Sequence, residues 1–197
     1  MLARMSQGRK IAIAVAAVSA VVIGVTVATY VINPFNTASA DPRARILGFT
    51  LYRSPSRSME PAMREGDVFI VSAAALRNRD PRIGEIVVFR FPPDPAISYV
   101  KRVVATGGTT IEMRKGAVYV DGHAVDEPWL PAEPIRTAVY EGTTMPLREE
   151  DIYADLAPLA VPVNHFFVLG DNRGNSSDSR TWGFVPRENM IGIVAED

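Results

Sequence analysis

Thr110–Val125, with the sequence TIEMRKGAVYVDGHAV, alternates apolar and polar residues along its length. Alternation with a period of two is typical of β-strands that bury one face. Lys115-Gly116 and Asp121-Gly122 separate the alternating runs, and Asp-Gly is a strong signal for a two-residue hairpin turn. The stretch therefore predicts consecutive antiparallel strands.

Short β-branched runs bounded by Gly, Pro and Asp lie on both sides of this stretch and are also predicted as strands. They are DVFIVSA (67–73), EIVVFRF (85–91), YVKRVVAT (99–106), HFFVLG (165–170) and MIGIVAE (190–196). Fifteen prolines and fourteen glycines favour many turns over a helical bundle. The segment 127–163 is rich in proline and acidic residues, and we interpret it as a small inserted lobe without chemistry of its own. The fold class predicted is mainly β, an antiparallel sheet domain with this lobe.

An apolar segment precedes the sheet domain. Ile11–Ile32 contains no charged residue and, at about 1.5 Å per residue, can cross a hydrocarbon core of about 30 Å. A cleaved signal peptide is the rival interpretation, because Ala38-Ser39-Ala40 is an A-x-A sequence, but the apolar cores of such peptides run only about 7–15 residues. We therefore predict one N-terminal transmembrane helix that is retained as an anchor.

The charges around the anchor indicate its orientation. Arg9 and Lys10 abut its start, and basic residues favour the cytoplasmic side. The predicted organisation is a cytoplasmic N-terminus (1–10), a transmembrane anchor (11–33), a linker (34–50) and a sheet domain (51–197).

Charge and composition exclude several classes of function. The net charge of −1 does not suggest a nucleic-acid partner. The absence of cysteine excludes disulfides, thiolate metal sites and a cysteine nucleophile. No metal-ligand spacing is present, so we predict neither a metal nor another cofactor.

The segment SPSRSMEPAM, Ser54–Met63, places three serines in a short turn-rich stretch. A serine hydroxyl needs a base before it can attack a carbonyl carbon. Ser56 and Ser58 are two residues apart, so an extended segment would point both hydroxyls to the same side. The serines are therefore candidates for a nucleophile and a neighbouring hydrogen-bond donor.

Five side chains are candidate bases. His123 lies in a predicted hairpin and His165 opens a strand, and no carboxylate is placed to orient either. Lys10 lies at the membrane boundary and Lys115 in a turn. Lys101 instead lies within the apolar run YVKRVVAT.

Alternation puts Lys101 on the same face of its strand as Tyr99 and Val103. If that face is buried, desolvation would lower the pKa of the amine from about 10.4 to about 8, at a cost of roughly 3 kcal/mol. The alternative is that the amine reaches solvent from a strand edge. The spacing of residues leaves both interpretations open.

Four boxes occur in an order that resembles the bacterial type I signal peptidases, which are membrane-bound Ser/Lys endopeptidases. They are SPSRSMEPAM, GEIVVFR, YVKRVVATGG and GDNRGNSSDSRTWGFVP. The resemblance runs from about Tyr52 to Val194 and leaves the lobe outside it. Gly174 departs from the pattern, since bacterial relatives often carry Asp or another polar residue there. The serine box also resembles self-cleaving LexA-type repressors, but a membrane span here replaces any DNA-binding domain.

The resemblance implies roles for single residues. Ser58 matches the nucleophile and Lys101 the general base. Ser56 matches the serine whose hydroxyl joins the Ser58 backbone N–H in the oxyanion hole. Ser176 matches the serine that hydrogen-bonds the lysine amine and orients it.

The final box contains two pairs of opposite charge. Asp178 and Arg180 match a pair that supports the site. Without the resemblance, Asp171 with Arg173 and Asp178 with Arg180 would be solvated pairs in a turn-rich loop. The candidate walls of the substrate groove are Tyr52, Ser54, Met59, Tyr99 and Val100.

The implied activity is removal of N-terminal signal peptides from exported preproteins after small residues, in an Ala-x-Ala pattern. The implied partners are those preproteins and membrane lipid, without nucleic acid or metal. The implied location is the bacterial inner (plasma) membrane, with a single span and the catalytic domain on the outer, periplasmic side. Two alternatives remain: a pilin-maturation Ser/Lys peptidase of a conjugation system, and a catalytically silent domain that only binds exported peptides.

Overall fold

The computed structural model describes residues 7–140 and 143–195. The helices are α1 (Gln7–Ile32), α2 (Glu149–Ile152) and α3 (Ser179–Trp182). The strands are β1 (Phe49–Arg53), β2 (Val68–Ser72), β3 (Ile86–Phe91), β4 (Asp94–Thr106), β5 (Thr110–Arg114), β6 (Ala117–Val120), β7 (His123–Ala124), β8 (Thr137–Tyr140), β9 (Thr143–Pro146), β10 (Leu156–Ala160), β11 (His165–Leu169), β12 (Val185–Pro186) and β13 (Met190–Val194).

Helix α1 is the apolar segment of the sequence, and none of its residues is buried against the rest of the protein. It begins at Gln7, before the predicted start at Ile11, and ends at Ile32. At about 1.5 Å per residue it extends about 39 Å, which exceeds a hydrocarbon core of about 30 Å. By length and composition it can span a membrane.

A seven-stranded sheet forms the body, in the order β1-β2-β13-β3-β4-β11-β12, and its pairs are antiparallel. The predicted mainly antiparallel β fold with one N-terminal apolar helix is confirmed. The register of β3 and β4 sets Val87 opposite Lys101. Successive residues of β3 enter different core clusters, Val87 and Phe89 one and Val88 another. Both faces of the sheet are therefore covered at β3.

A four-stranded sheet has the order β10-β5-β6-β7. The turns between β5 and β6 and between β6 and β7 have positive φ at both central residues: Lys115 (49°), Gly116 (83°), Asp121 (50°) and Gly122 (79°). Such turns match the right-handed twist of the strands that they join. Both hairpins predicted from Thr110–Val125 are confirmed.

The predicted lobe, residues 127–163, is partly integrated into this second sheet. Its hairpin β8–β9 and helix α2 are additions to the core, but β10 pairs with β5 and places Leu159 opposite Ile111. The many prolines and acidic residues of the segment indicated an insertion, and one of those prolines, Pro158, lies within β10. A strand at the edge of a sheet tolerates such a proline.

The predicted linker, residues 34–50, packs against the body instead of forming a free tether. The Thr37 hydroxyl donates to the Ile191 carbonyl oxygen at 2.7 Å, and the Ala38 N–H donates to the Met190 carbonyl oxygen at 2.8 Å. Strand β1 also starts at Phe49, within the predicted linker. Both hydrogen-bond partners lie on β13, and Ile191 is 154 residues beyond Thr37 in the sequence. Local composition could therefore not reveal these contacts.

Candidate active site

Strand β4 and the turn after β1 bring a lysine amine against a serine hydroxyl. Lys101 Nζ donates to Ser58 Oγ at 2.8 Å and to the Val100 carbonyl oxygen at 2.9 Å. Lys101 is 4% exposed and Ser58 is 7% exposed. The amine therefore does not reach solvent from a strand edge, and it lies within hydrogen-bond distance of a potential nucleophile.

The surroundings of Lys101 favour its neutral form. Burial lowers the pKa of the amine from its ordinary value of 10.5 to about 8, while the negative charges of Asp178 and Asp171 partly oppose that shift. Desolvation dominates because a buried ammonium loses its hydration, and no carboxylate in the described part of the chain contacts it directly. A substantial fraction of the Lys101 amine is therefore neutral slightly above pH 7, and the neutral amine can accept a proton.

The segment that carries the serines is a bend followed by a turn, and not the extended chain expected from the sequence. Nevertheless, Ser56 Oγ lies 3.2 Å from Ser58 Oγ and 3.5 Å from the Ser58 backbone nitrogen. Ser54 is buried and donates to the Ser56 carbonyl oxygen at 3.0 Å. The bend, rather than a strand, places the Ser56 hydroxyl beside Ser58, and the hydrogen bond from Ser54 stabilises the bend.

The Gly170–Arg180 loop packs against the serine turn. The Asn172 N–H donates to the Ser58 carbonyl oxygen at 3.1 Å, and its amide nitrogen donates to the Arg57 carbonyl oxygen at 3.2 Å. A Cβ at Gly170 would lie 2.6 Å from the Ser58 carbonyl oxygen. Gly170 is therefore needed for close approach of the two backbones, a role that the sequence reasoning missed.

Asp178 and Arg180 form the predicted pair, and Asp178 is fully buried. The guanidinium of Arg180 donates to both carboxylate oxygens at 2.7 and 2.8 Å. Asp178 also accepts from the N–H of Gly170 at 3.1 Å and caps helix α3. The pair is therefore buried and not solvated, and it fixes the shape of the loop beside Ser58.

Ser176 does not make the hydrogen bond to Lys101 that the resemblance implied. Its hydroxyl is buried and has no hydrogen-bond partner within residues 7–140 and 143–195. It lies beside the site nonetheless, because a Cβ at Gly170 would come within 2.2 Å of Ser176 Oγ. Lys101 is instead held by Ser58 and the Val100 carbonyl group.

The other two charges of the final box do not pair with each other. Asp171 binds Arg102 of β4, and Arg173 binds Glu127 of the lobe. All four side chains are at least nine-tenths buried. The available signal for the first pair was an arginine placed directly after Lys101 within an apolar strand.

An open cleft of about 450 Å³ lies beside Ser58 and Lys101. Tyr99 and Val100, two predicted walls, line it. Its lining also includes residues that the sequence reasoning missed, namely Pro55, Ile97, Ser98, Asn175 and Ser177.

The other three predicted walls do not line this cleft. The ring of Tyr52 stacks on Phe69, with centroids 6.4 Å apart. The Ser54 hydroxyl is used within the serine turn, and Met59 is fully buried in a core cluster. The side chains of Tyr52 and Met59 pack into the body, and that of Ser54 packs into the serine turn.

The histidines lie elsewhere. His123 is exposed on β7, and His165 Nδ1 lies 2.9 Å from the Val163 carbonyl oxygen at the start of β11. Within the described ranges, no group of three or more His, Asp or Glu side chains is arranged to hold a metal ion.

Comparison with known proteins gives concordant matches. The sequence model of the family described as signal peptidase, peptidase S26, matches residues 44–196. A probable signal peptidase I-2 of Synechocystis is 38% identical over 145 residues, which cover 70% of this chain and 57% of the relative. Signal peptidase I of Aquifex aeolicus is 30% identical over 184 residues, which cover 72% of each chain.

A solved structure of a signal peptidase I from Enterococcus faecalis is 27% identical, with a TM-score of 0.43, and the match covers 59% of this chain and 98% of that chain. The chain spans 57%, 65% and 61% of the length of three of the curated relatives that it matches.

Proposed function

The chain belongs to the signal peptidase family, peptidase S26, and from this premise we propose that it is a membrane-bound serine endopeptidase that removes N-terminal signal peptides from exported preproteins. One observation carries the proposal: a buried lysine amine lies 2.8 Å from a serine hydroxyl at the side of an open cleft. Ser58 is the nucleophile and Lys101 is the general base.

The acylation step follows from this pair. Neutral Lys101 takes the proton of Ser58 Oγ as that oxygen attacks the carbonyl carbon of the scissile peptide bond. The resulting ammonium then gives the proton to the departing amine, so the C–N bond breaks and an acyl ester on Ser58 remains. Since the pKa of Lys101 is about 8, roughly a tenth of the amine is neutral at pH 7.

The negative charge of the tetrahedral intermediate needs donors. The Ser58 backbone N–H and the Ser56 hydroxyl are the donors of this proposal, and the position of Ser56 Oγ, 3.2 Å from Ser58 Oγ, supports it. Deacylation repeats the sequence with water: Lys101 removes a proton from water, which attacks the ester, and Ser58 regains its hydroxyl. Ser176, Asp178 and Arg180 act by shaping the loop beside the dyad.

The substrate is a signal peptide with small residues before the cleaved bond, in an Ala-x-Ala pattern. The cleft supports this, because Tyr99 and Val100 of β4 form one side and Asn175 and Ser177 of the Gly170–Arg180 loop form another. A peptide bound along a strand satisfies its backbone through hydrogen bonds and is selected by small side-chain pockets.

Helix α1 is proposed as the anchor in the bacterial plasma membrane, with the N-terminus cytoplasmic and the catalytic domain on the outer side. Arg9 and Lys10 at the start of α1 support that orientation. Membrane lipid and exported preproteins are then the partners. The hydrogen bonds of Thr37 and Ala38 to β13 support a catalytic domain that is held close to the end of the anchor instead of being attached by a flexible linker.

The test is a gel assay in detergent with a preprotein that carries an Ala-x-Ala site, together with a Ser58→Ala control. Product at that site from the wild type and none from the variant is the expected result. No product from folded wild-type protein would contradict the general activity. The same assay with a pilin precursor, and a binding measurement with Ser58→Ala, then separate the specialised peptidase from the silent peptide-binding domain.

A further inference from the structure

Gly174 lies where the lobe meets the Gly170–Arg180 loop. A Cβ there would be 2.7 Å from Leu147 Cδ1 and 3.1 Å from Ile152 Cγ1. The φ of Gly174 is outside the left-handed region, unlike that of seven other glycines such as Gly183. The lack of a side chain at Gly174 is thus a matter of space rather than of backbone conformation.

The two neighbours of Gly174 differ in their freedom to move. Leu147 is half-buried and meets Gly174 with the end of its side chain, whereas Ile152 is only 5% exposed. An added methyl group displaces the end of the Leu147 side chain and presses weakly on Ile152. A larger, branched side chain must also move Ile152, and the lobe with it.

The loop is tied to the lobe on both sides of Gly174. Arg173 forms an ion pair with Glu127, and both side chains are 9% exposed. Arg180 Nη1 donates to the Asp151 carbonyl oxygen at 3.4 Å and its Nη2 donates to the Arg173 carbonyl oxygen at 2.6 Å. The lobe therefore contacts the loop through an ion pair, a backbone acceptor and the apolar contact at Gly174.

The same loop contacts the dyad. The Asn172 N–H donates to the Ser58 carbonyl oxygen, and the Gly170 N–H donates to Asp178. A shift of the loop at Gly174 is transmitted two residues along the chain to Asn172, and from there to the backbone of Ser58. Misplacement of a catalytic group by about 1 Å can lower a rate about 100-fold.

We infer that Gly174 is a positioning residue, whose missing side chain lets the lobe close on the Gly170–Arg180 loop and hold it against Ser58. This inference rests on the proposed function for its effect on turnover, but not for its effect on the loop. It gives the lobe a task that neither its composition nor the sequence boxes indicated.

The experiment compares Gly174→Val with a volume-conserving pair, Gly174→Val together with Leu147→Ala. The expected result is that Gly174→Val lowers kcat about tenfold or more, with KM within about threefold, and that the second substitution restores most of kcat. The matched control is Gly24→Val in α1, where a Cβ meets nothing within 4 Å. If Gly174→Val does not fold, Gly174→Ala replaces it, because its Cβ still lies 2.7 Å from Leu147 Cδ1 and 3.1 Å from Ile152 Cγ1. A smaller loss of kcat with the same recovery on adding Leu147→Ala is then the expected result, and an unchanged kcat would overturn the inference.

A second readout does not need turnover. Hydrogen exchange at the Gly170 and Asn172 amides should be faster in Gly174→Val and return towards the wild-type rate in the double variant. Unchanged kcat and unchanged exchange in Gly174→Val would overturn the inference. It would also be overturned if adding Leu147→Ala restored the melting temperature of Gly174→Val but not its kcat. An inactive wild type with the expected exchange pattern would contradict the proposed function and leave the positioning role supported.

Discussion

Arg102 and Asp171 form a buried ion pair between strand β4 and the Gly170–Arg180 loop. Arg102 Nε lies 2.9 Å from Asp171 Oδ1, and Nη2 lies 2.6 Å from Oδ2. The side chains are 7% and 1% exposed. Arg102 directly follows Lys101 and Asp171 directly follows Gly170, so the pair joins the strand that carries the amine to the loop that contacts Ser58.

Asp171→Asn should reduce the free energy of unfolding by about 3–5 kcal/mol, because it leaves the Arg102 guanidinium buried without its counter-charge. Urea unfolding in detergent measures this loss. Glu150→Gln is the matched control, because Glu150 pairs with Arg148 at side-chain exposures of 69% and 72%, and such a pair contributes less than about 1 kcal/mol. Equal losses in the two variants would contradict the argument.

The rate of cleavage should rise with pH through the pKa of Lys101. In the proposed mechanism the neutral amine is the active form, and the pKa of Lys101 is lowered to about 8, so kcat/KM should increase about tenfold per pH unit below 8 and level off above it. A pH profile from 6 to 10 measures this. The midpoint reflects burial, which lowers the pKa of Lys101, and the negative charges of Asp178 and Asp171, which partly raise it. A flat profile, or an active Lys101→Arg enzyme, would remove Lys101 from the role of base.

Lys101→Met should stabilise the fold while it abolishes cleavage. The pKa of Lys101 falls from 10.5 in the unfolded chain to about 8 in the fold, so burial of the ammonium costs about 3 kcal/mol below pH 8. The cost declines between pH 8 and 10.5 and vanishes above 10.5, where the amine is neutral in both states. The gain of Lys101→Met in unfolding free energy should follow that course, and a gain independent of pH would contradict it.

Ser56→Ala should lower kcat by about 100- to 1,000-fold with little change in KM, because it removes the hydroxyl that we propose as a donor to the developing negative charge. Steady-state kinetics on a peptide substrate measures both parameters. Thr109→Ala is a control for the loss of a hydroxyl group away from the cleft, since the Thr109 hydroxyl donates to the Thr106 carbonyl oxygen in the turn after β4. An unchanged kcat in Ser56→Ala would place the second oxyanion donor elsewhere.

Gly170→Ala should abolish cleavage and lower the melting temperature. Its Cβ would lie 2.6 Å from the Ser58 carbonyl oxygen, and a backbone atom cannot rotate away as the Ser176 hydroxyl can. Overpacking of this kind costs about 1–3 kcal/mol. Gly24→Ala, where nothing lies within 4 Å, serves as the comparison in kinetics and calorimetry. Normal turnover by Gly170→Ala would show that the two backbones have room to separate.

Local pattern was sufficient for the class of fold. Period-two alternation, Lys115-Gly116 and Asp121-Gly122 predicted strands and hairpins that form as expected, because both strand and turn preferences act within a few residues. The long uncharged run predicted helix α1 for the same reason. Ser58 and Lys101 stood out as candidates through residue type and the order of the boxes.

Pairing between distant segments was not accessible from that pattern. Three contacts connect segments that are far apart in the sequence and meet only in the folded protein. They are the ion pairs of Arg102 with Asp171 and of Arg173 with Glu127, and the hydrogen bond of Thr37 to Ile191. The burial of Lys101, which sequence spacing left open, likewise depends on what covers β4 in three dimensions. A side chain's pKa and its partners are set by everything within a few ångströms, and the chain brings most of those groups from far along its length.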